Sequence, residues 1–464
     1  MAEGHDELSN KAISYLIDKY SPAGNRIGWL MIASIFVESW DLYSISFILI
    51  FLSTIFHPSA LLLGLTAAGT QGGAVVGALF GGWLADKIGR RRVFLTTMVM
   101  FVVFGLAQAF APNMTVLAII RLILGVPLGM DIASGYTYIM ESMQKGKREV
   151  MGNRWQFMFA VGEISAILVV AVFLVAGVSP NIMWRIVLGA SAIPALVIFA
   201  LRYNLPESAI WLIQKGRYAD AKKETRKMYH DSLSMLPDEN IHVPKVDLSK
   251  FLSVIHKDRI KWRATVYGWI ASFMQSSEFS TFAFYIPVLF VALGVSSILG
   301  TDLITLAVYI IAMISGLVGP MILPKIGQRR LSIYGFSIVF VALLIAAAAI
   351  FSNQLIILPI AAGLMLWGHY WDAENVITIP SMVAPPKYKA TSSGFAYMFV
   401  KLPAFFAIFL FPAFFDYIGK GGATLFTAIF PLVGLLAAIF ILPEVYGYKE
   451  VIAKTVKRVV KRKK

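Results

Sequence analysis

The 464-residue chain contains no cysteine, which excludes disulfides, thiol nucleophiles and thiolate metal sites together. Charge is also scarce. Only 14% of residues are Asp, Glu, Lys or Arg, against about 25% in a soluble domain. There are six histidines, and none lies in a compact run with recognised ligand spacing; His369, Asp372 and Glu374 come nearest to a metal set. No Walker-type phosphate loop is present, so ATP drive would need a separate subunit. These shortages argue against an enzyme, and no cofactor is expected.

Apolar material is what the chain has in excess, at 58% of residues. It comes in stretches of about 20 residues separated by short polar turns. At 1.5 Å rise per residue each stretch can span the roughly 30 Å hydrocarbon core of a bilayer. Six such stretches lie between 27 and 201, a charged connection follows, and six more lie between 264 and 443. The expected fold is therefore an all-α polytopic membrane protein of about twelve transmembrane helices. Its divisions are an N-terminal six-helix bundle over 1–201, a linker with short helices over 202–262, a C-terminal six-helix bundle over 263–443, and a basic tail over 444–464. The start, MAEGHDELSNK, lacks the basic region and apolar run of a cleaved signal, so the first span is expected to be retained.

The formal charge of +15 is spread over alternate loops. Lys87 and Arg90–Arg92 occupy one, Lys145, Lys147, Arg148 and Arg154 the next, then Lys325, Arg329 and Arg330, and then Lys387 and Lys389. The opposite loops hold little beyond Asp302, Asp416 and Lys420. By the positive-inside rule both termini are cytoplasmic, in a cell (plasma) membrane protein. Basic segments dispersed in this way form no continuous groove for nucleic acid. The expected partners are the lipid bilayer, protons and a small-molecule substrate, with the chain acting as a monomer. The tail VIAKTVKRVVKRKK reads either as an amphipathic surface helix, with Val451, Val456, Val459 and Val460 toward lipid, or as a disordered basic segment.

Loop two to three reads GGWLADKIGRRR, and the corresponding place in the second half reads GPMILPKIGQRR, an internal duplication. Two similar halves around one pathway suit alternating access. Asp86 can bridge helix ends, Gly89 relieves the turn, and the arginines can pair with acids. Pro324 replaces the Asp in the second copy, so the latch is expected to be asymmetric. The motif GxLADxxGRRR resembles the signature of the major facilitator superfamily. Within it the chain resembles the sugar porters and the neighbouring phosphate and metabolite proton symporters, supported by RLILGVPLGMD, MWRIVLGASAIPAL, LPESAIWLIQKGRYADA and LPEVYGYKE. The resemblance implies a cytoplasmic gate in which Asp86, Arg90, Arg91 and Glu141 join Glu207, Arg329, Arg330 and Glu444.

Ionisable residues inside spans are costly, at about 2.5 to 3.5 kcal/mol each, and should face a cavity or a partner. Asp41 lies about 22 Å along the first span from Arg26, a depth that Arg121 of the antiparallel fourth span can reach. In the sugar porters such a pair resembles the proton-coupling pair; a static tie between helices is the structural alternative. Glu38 and Asp41 share a face and resemble the first span of the phosphate symporters, while Asp131 resembles that group's fourth-span Asp and Lys401 its eleventh-span Lys. Thr281 stands where that group has a seventh-span acid, and a site this rich in carboxylates suits phosphate poorly.

The seventh span, MQSSEFSTFAFY, resembles the sugar porters at Gln275, Ser277 and Tyr285, and departs from them at Met274, Glu278 and Ser280. Amide and hydroxyl groups there can bond sugar hydroxyls. Glu163 and Glu278 are candidate cavity residues or neutral cross-helix hydrogen bonders. Asp372 and Glu374 lie near the depth of Lys401, and one of them is expected to pair with it. His369 reads as a titrating or a packing residue, and Trp367 and Trp371 as a ligand wall or as packing. Pro127, Pro287 and Pro403 are expected kinks.

The expected function is secondary active transport, by proton-coupled symport of a small polar solute such as a sugar or polyol. Alternatives are an organic cation, a zwitterion, or a carboxylate or phosphate-type metabolite; a channel and a membrane enzyme are the rivals from other classes. One proton crossing 100 mV supplies about 2.3 kcal/mol, enough for roughly fifty-fold accumulation of a neutral solute.

Overall fold

A computed structural model describes residues 2–241, 247–283, 286, 290 and 298–448. The tail valines, Tyr285 and Pro287 lie outside the described residues. In chain order the helices are α1 (Ala2–Asp18), α2 (Gly24–Ile32), α3 (Ser34–Phe56), α4 (Ala60–Ile88), α5 (Arg90–Ala109), α6 (Met114–Ser142), α7 (Lys147–Asn153), α8 (Trp155–Val175), α9 (Pro180–Gly189) and α10 (Ala192–Arg202). They continue as α11 (Ala209–Gln214), α12 (Tyr218–Tyr229), α13 (Phe251–His256), α14 (Arg259–Glu278), α15 (Ile298–Phe351), α16 (Leu358–Val383), α17 (Lys389–Thr427) and α18 (Ile429–Phe440). Among the described residues, nine helical stretches are long and apolar enough to cross a bilayer. The chain is an all-α polytopic membrane protein.

Small residues set the packing. In lipid, apolar side chains gain little by meeting one another, so helices associate where backbones can approach closely. Gly69, Gly73, Gly77 and Gly81 recur every fourth residue along one face of α4, opposite Gly125 and Gly129 of α6. A methyl group at Gly77 would overlap the carbonyl of Val126, and one at Gly129 the carbonyl of Ala74. This seam holds the two helices in contact over several turns.

The duplicated motif repeats in three dimensions. Gly89 (φ 109°) separates α4 from α5, and Gly327 (φ 81°) breaks α15 into two runs at the matching place. Both sit in backbone space that side chains disfavour. After Gly89 the backbone N–H groups of Arg90 and Arg91 donate to Glu207, at 3.0 and 3.3 Å. After Gly327 those of Gln328 and Arg329 donate to Glu444, at 3.0 and 3.1 Å. Each carboxylate thus satisfies orphan donors at a helix start and meets the positive end of its dipole.

Short helices cover this basic end of the bundle. The face of α1 formed by Ala12, Ile13 and Leu16 is buried, with Ser9 hydrogen-bonded to Tyr218 of α12 at 3.1 Å. Lys19 and Tyr15 both hydrogen-bond Asp231, and they hold its carboxyl down at about 2. The sequence points to short helices in the linker and, as one of two readings, in the tail, so α1 is an addition to it.

Candidate functional site

The first polar centre lies between α3, α4, α5 and α6. Asp41 is 1% exposed and Arg121 is fully buried. Nη1 of Arg121 is 3.3 Å from the Asp41 carboxylate and donates to Gln108 Oε1 at 3.0 Å. Gln108 returns a bond from Nε2 to Asp41 at 3.0 Å. Nε of Arg121 donates to the carbonyl of Thr66 at 2.8 Å, which anchors the guanidinium to α4. Asp41 and Arg121 are therefore brought together as expected from their depth, and Gln108 is a member that the sequence reading missed. Its signal was available, as a lone amide in an otherwise apolar fifth-helix run.

Three residues before Asp41, Glu38 lines a central cavity of about 40 Å³ to which Asp41 does not contribute. That is room for a few waters. The lining comes from both ends of the chain: Glu38 and Leu42 of α3, Gln71 of α4, Gln156 and Phe159 of α8, Gln275 and Ser276 of α14, His369 of α16 and Lys401 of α17. Lys401 forms an ion pair with Glu38 across the cavity, and Tyr397 donates to the same carboxylate at 2.5 Å. This corrects the expectation that Lys401 pairs with Asp372 or Glu374. The side chain of Lys401 faces α3, whereas Asp372 faces back toward α14.

Immediately after Glu278 the chain makes a π-helical turn, Phe279–Ala283. Such turns displace the helix register locally. Here Phe279 and Ser280 line the cavity while Glu278 is buried behind it. Ser276 also ties α14 to the carbonyl of Val400 at 2.5 Å.

The other candidates are dispersed. Asp131 is joined to Arg202 at 2.8 Å and to Thr97 at 2.8 Å, away from the cavity lining. Arg202, the first residue of the linker by sequence, is fully buried at the end of α10. Glu163 accepts from Tyr370 at 2.6 Å. Ser277 bonds back to the carbonyl of Phe273 at 2.7 Å, within its own helix. Trp367 and Trp371 pack on each other, with ring centroids 5.9 Å apart, and are tied to Ser315 of α15 rather than lining the cavity. Glu278 is 3.0 Å from Nδ1 of His369, and Asp372 is 3.7 Å from the same atom. Glu374 is buried beside Gly319 of α15.

Contacts join the helices on both sides of the cavity. At the basic end Arg90 joins Asp86 at 3.0 Å and Glu141 at 2.8 Å, and Ser208 donates to Glu141 at 2.6 Å. Asp86 reaches α17, where it accepts from the backbone N–H of Thr391 at 2.9 Å and its hydroxyl at 2.7 Å. Arg91 and Arg329 cap carbonyls, of Tyr203 and of Ile439, each at 2.6 Å. At the other end Tyr43 hydrogen-bonds Tyr309, and Gly64 and Gly72 of α4 lie against Phe409 and Phe405 of α17.

The bundle thus surrounds a central cavity that carries charged and amide groups, with helix-to-helix contacts on either side of it. Residues 23–449 match the Sugar (and other) transporter family, and the chain belongs to that family. It is 27% identical over 389 residues to the glucose transporter GlcP of Staphylococcus epidermidis, covering 81% of this chain and 84% of that one. It is likewise 27% identical over 275 residues to the arabinose-proton symporter of Escherichia coli, covering 59% and 57%. The structure of the proton:xylose symporter XylE bound to 6-bromo-6-deoxy-D-glucose aligns with a TM-score of 0.75 at 19% identity, over 91% of this chain and 96% of that one. The inward-open form of XylE from E. coli aligns less closely, with a TM-score of 0.64 at 19% identity over 91% and 97%. The fold is that of the major facilitator superfamily.

Proposed function

We propose that the chain is a proton-coupled symporter of a neutral sugar or polyol, working as a monomer by alternating access. The reading takes twelve spans in two six-helix halves, 1–201 and 263–443, with the 202–262 linker and both termini on the cytoplasmic side of the plasma membrane. The observation that carries it is the buried Asp41–Arg121 pair, whose Asp41 is on the helix that also presents Glu38 to the cavity.

When Asp41 takes a proton, its attraction to Arg121 is lost, while Arg121 keeps its bonds to Gln108 and Thr66. The helix α3 is then freer to move relative to α6. Because Glu38 rides on α3 and is bound to Lys401 of α17, that movement reaches the cavity and the C-terminal helices. Substrate and proton occupancy become linked through one rigid helix, as coupling requires.

A neutral solute is favoured by the balance of charge in the cavity lining, where Glu38 meets Lys401. Three of the span acids each have a buried base: Asp41 with Arg121, Asp131 with Arg202, and Glu38 with Lys401. The glutamines at positions 71, 156 and 275 supply neutral donors and acceptors to the cavity. The named cargo of relatives, glucose, arabinose and xylose, belongs to the same class.

The test is uptake of labelled glucose, xylose, arabinose and inositol by proteoliposomes under an imposed inward proton gradient. At least one should accumulate saturably and lose accumulation when a protonophore is added. Asp41→Asn should keep exchange and lose concentrative uptake. Retention of gradient-driven accumulation by that variant would remove Asp41 from the coupling role.

A further inference from the structure

Several buried acids in this bundle are matched by a base, but four that gather around one helix are not. Besides the three pairs already named, Asp86 and Glu141 share Arg90. Glu163, Glu278, Asp372 and Glu374 have no Arg or Lys within ion-pair distance among the described residues, and all are fully buried. They gather at α16, two on it and two against its His369 and Tyr370.

Within this group three side chains converge. One ligand-type atom from each of Glu278, His369 and Asp372 lies within 4.8 Å of the others. Neither oxygen of Asp372, nor Oε2 of Glu278, has a hydrogen-bond donor among the described residues. Two carboxylates held this close in a low-dielectric interior cannot both stay ionised without a cation between them. A proton shared by the pair cancels one charge and supplies the missing donor. His369 connects this pair to the cavity: it belongs to the lining and stacks on Phe279, with ring centroids 4.7 Å apart at 20°.

We propose that Glu278, Asp372 and His369 form a second proton-binding site, in which the carboxyl pair holds a proton and His369 exchanges it with the cavity. The proposal rests on the proton-coupled reading and adds a site in the C-terminal helices to the one at Asp41. In the exchange the carboxyl proton moves to Nδ1 of neutral His369, leaving an imidazolium beside carboxylate. The imidazolium then releases a proton to cavity water. Other ionisable groups face this site from the neighbouring helices. They are Tyr267 of α14, Tyr370 and Glu374 of α16, Glu163 of α8, and Lys401 with Glu38 across the cavity; α15 contributes the backbone of Gly335 beside Asp372. The π-helical turn begins at the residue after Glu278, so the protonation state of the pair acts where α14 is already irregular.

Infrared spectra of the purified protein at neutral pH test the site without any substrate. They should contain the C=O stretch of protonated carboxyl groups, and Glu278→Gln with Asp372→Asn should remove a part of it that Asp41→Asn leaves in place. If the double variant does not fold by gel filtration, Asp372→Asn alone serves the same comparison. A protonated-carboxyl band unchanged in the variants overturns the proposal. One Mn²⁺ or Zn²⁺ bound per chain after dialysis, and lost in the variants, also overturns it, because the cation would then be a metal. Sugar uptake that ignores the proton gradient would sink the symport reading and leave this measurement to judge the site separately.

Discussion

Asp86 takes both the backbone N–H and the hydroxyl of Thr391, so one carboxylate closes α4 onto α17 at the basic end. The same carboxylate is held by Arg90, 3.0 Å away. Asp86→Asn keeps the size and one acceptor oxygen but loses the charge that strengthens both contacts. Hydrogen bonds to a charged group are worth about 1.5 to 3 kcal/mol, so the opening equilibrium at this end should shift by roughly ten-fold or more. The chain has no cysteine, which allows a single Ser393→Cys reporter beside Thr137. Its labelling by a water-soluble maleimide should be faster with Asp86→Asn than without it; equal rates would mean that the contact does not hold the closed form.

Arg121 makes four side-chain bonds, to Asp41, Gln108, Thr66 and Thr70. Arg121→Ala leaves Asp41 buried and unpaired, a loss of about 3 to 5 kcal/mol for such a pair. Thermal unfolding in detergent should show a large drop in midpoint. Adding Asp41→Asn should recover part of it, since the stranded charge is then gone. If the double variant is no more stable than Arg121→Ala, the loss comes from packing.

How much of this was legible in the sequence depends on whether the signal was local. Span lengths, the Asp41 and Arg121 depths and the doubled GRRR-type motif follow from spacing along single helices, and the structure pairs the residues accordingly. The glycine seam of α4 was equally visible as a four-residue repeat from Gly69 to Gly81, but it was overlooked beside the charge pattern. Partner choice across helices was not legible. Lys401 and Asp372 have similar depth, yet helix rotation turns Lys401 to Glu38, and no one-dimensional pattern encodes that rotation. Arg202 shows the same limit at a boundary, because a basic residue ending a span reads as topogenic until its buried partner is seen.

Arg202 fixes three segments at once, donating to Asp131, to the carbonyls of Leu30 and Met31, and to Ser34. This geometry assigns it to holding α2 and α3 against α6 and α10. Arg202→Lys keeps the charge but loses the planar fork that makes these bonds. The expected result is a lower unfolding midpoint with an unchanged KM for the transported solute. A changed KM at unchanged stability would return Asp131 to the substrate site.

The Glu38–Lys401 pair sets the charge of the cavity. Glu38→Gln leaves the ammonium of Lys401 with Tyr397 as its near neighbour and no compensating carboxylate. A buried cation without a partner attracts an anion from solution. Competition against uptake of a neutral sugar should therefore strengthen for its uronate, the same ring carrying a carboxylate, by about ten-fold or more if a charge-assisted bond forms. Lys401→Met should do the reverse, weakening the uronate and leaving Glu38 uncompensated. A cavity that binds its solute through Gln71, Gln156 and Gln275 alone would show neither change, and the pair would then act only in moving α3 against α17.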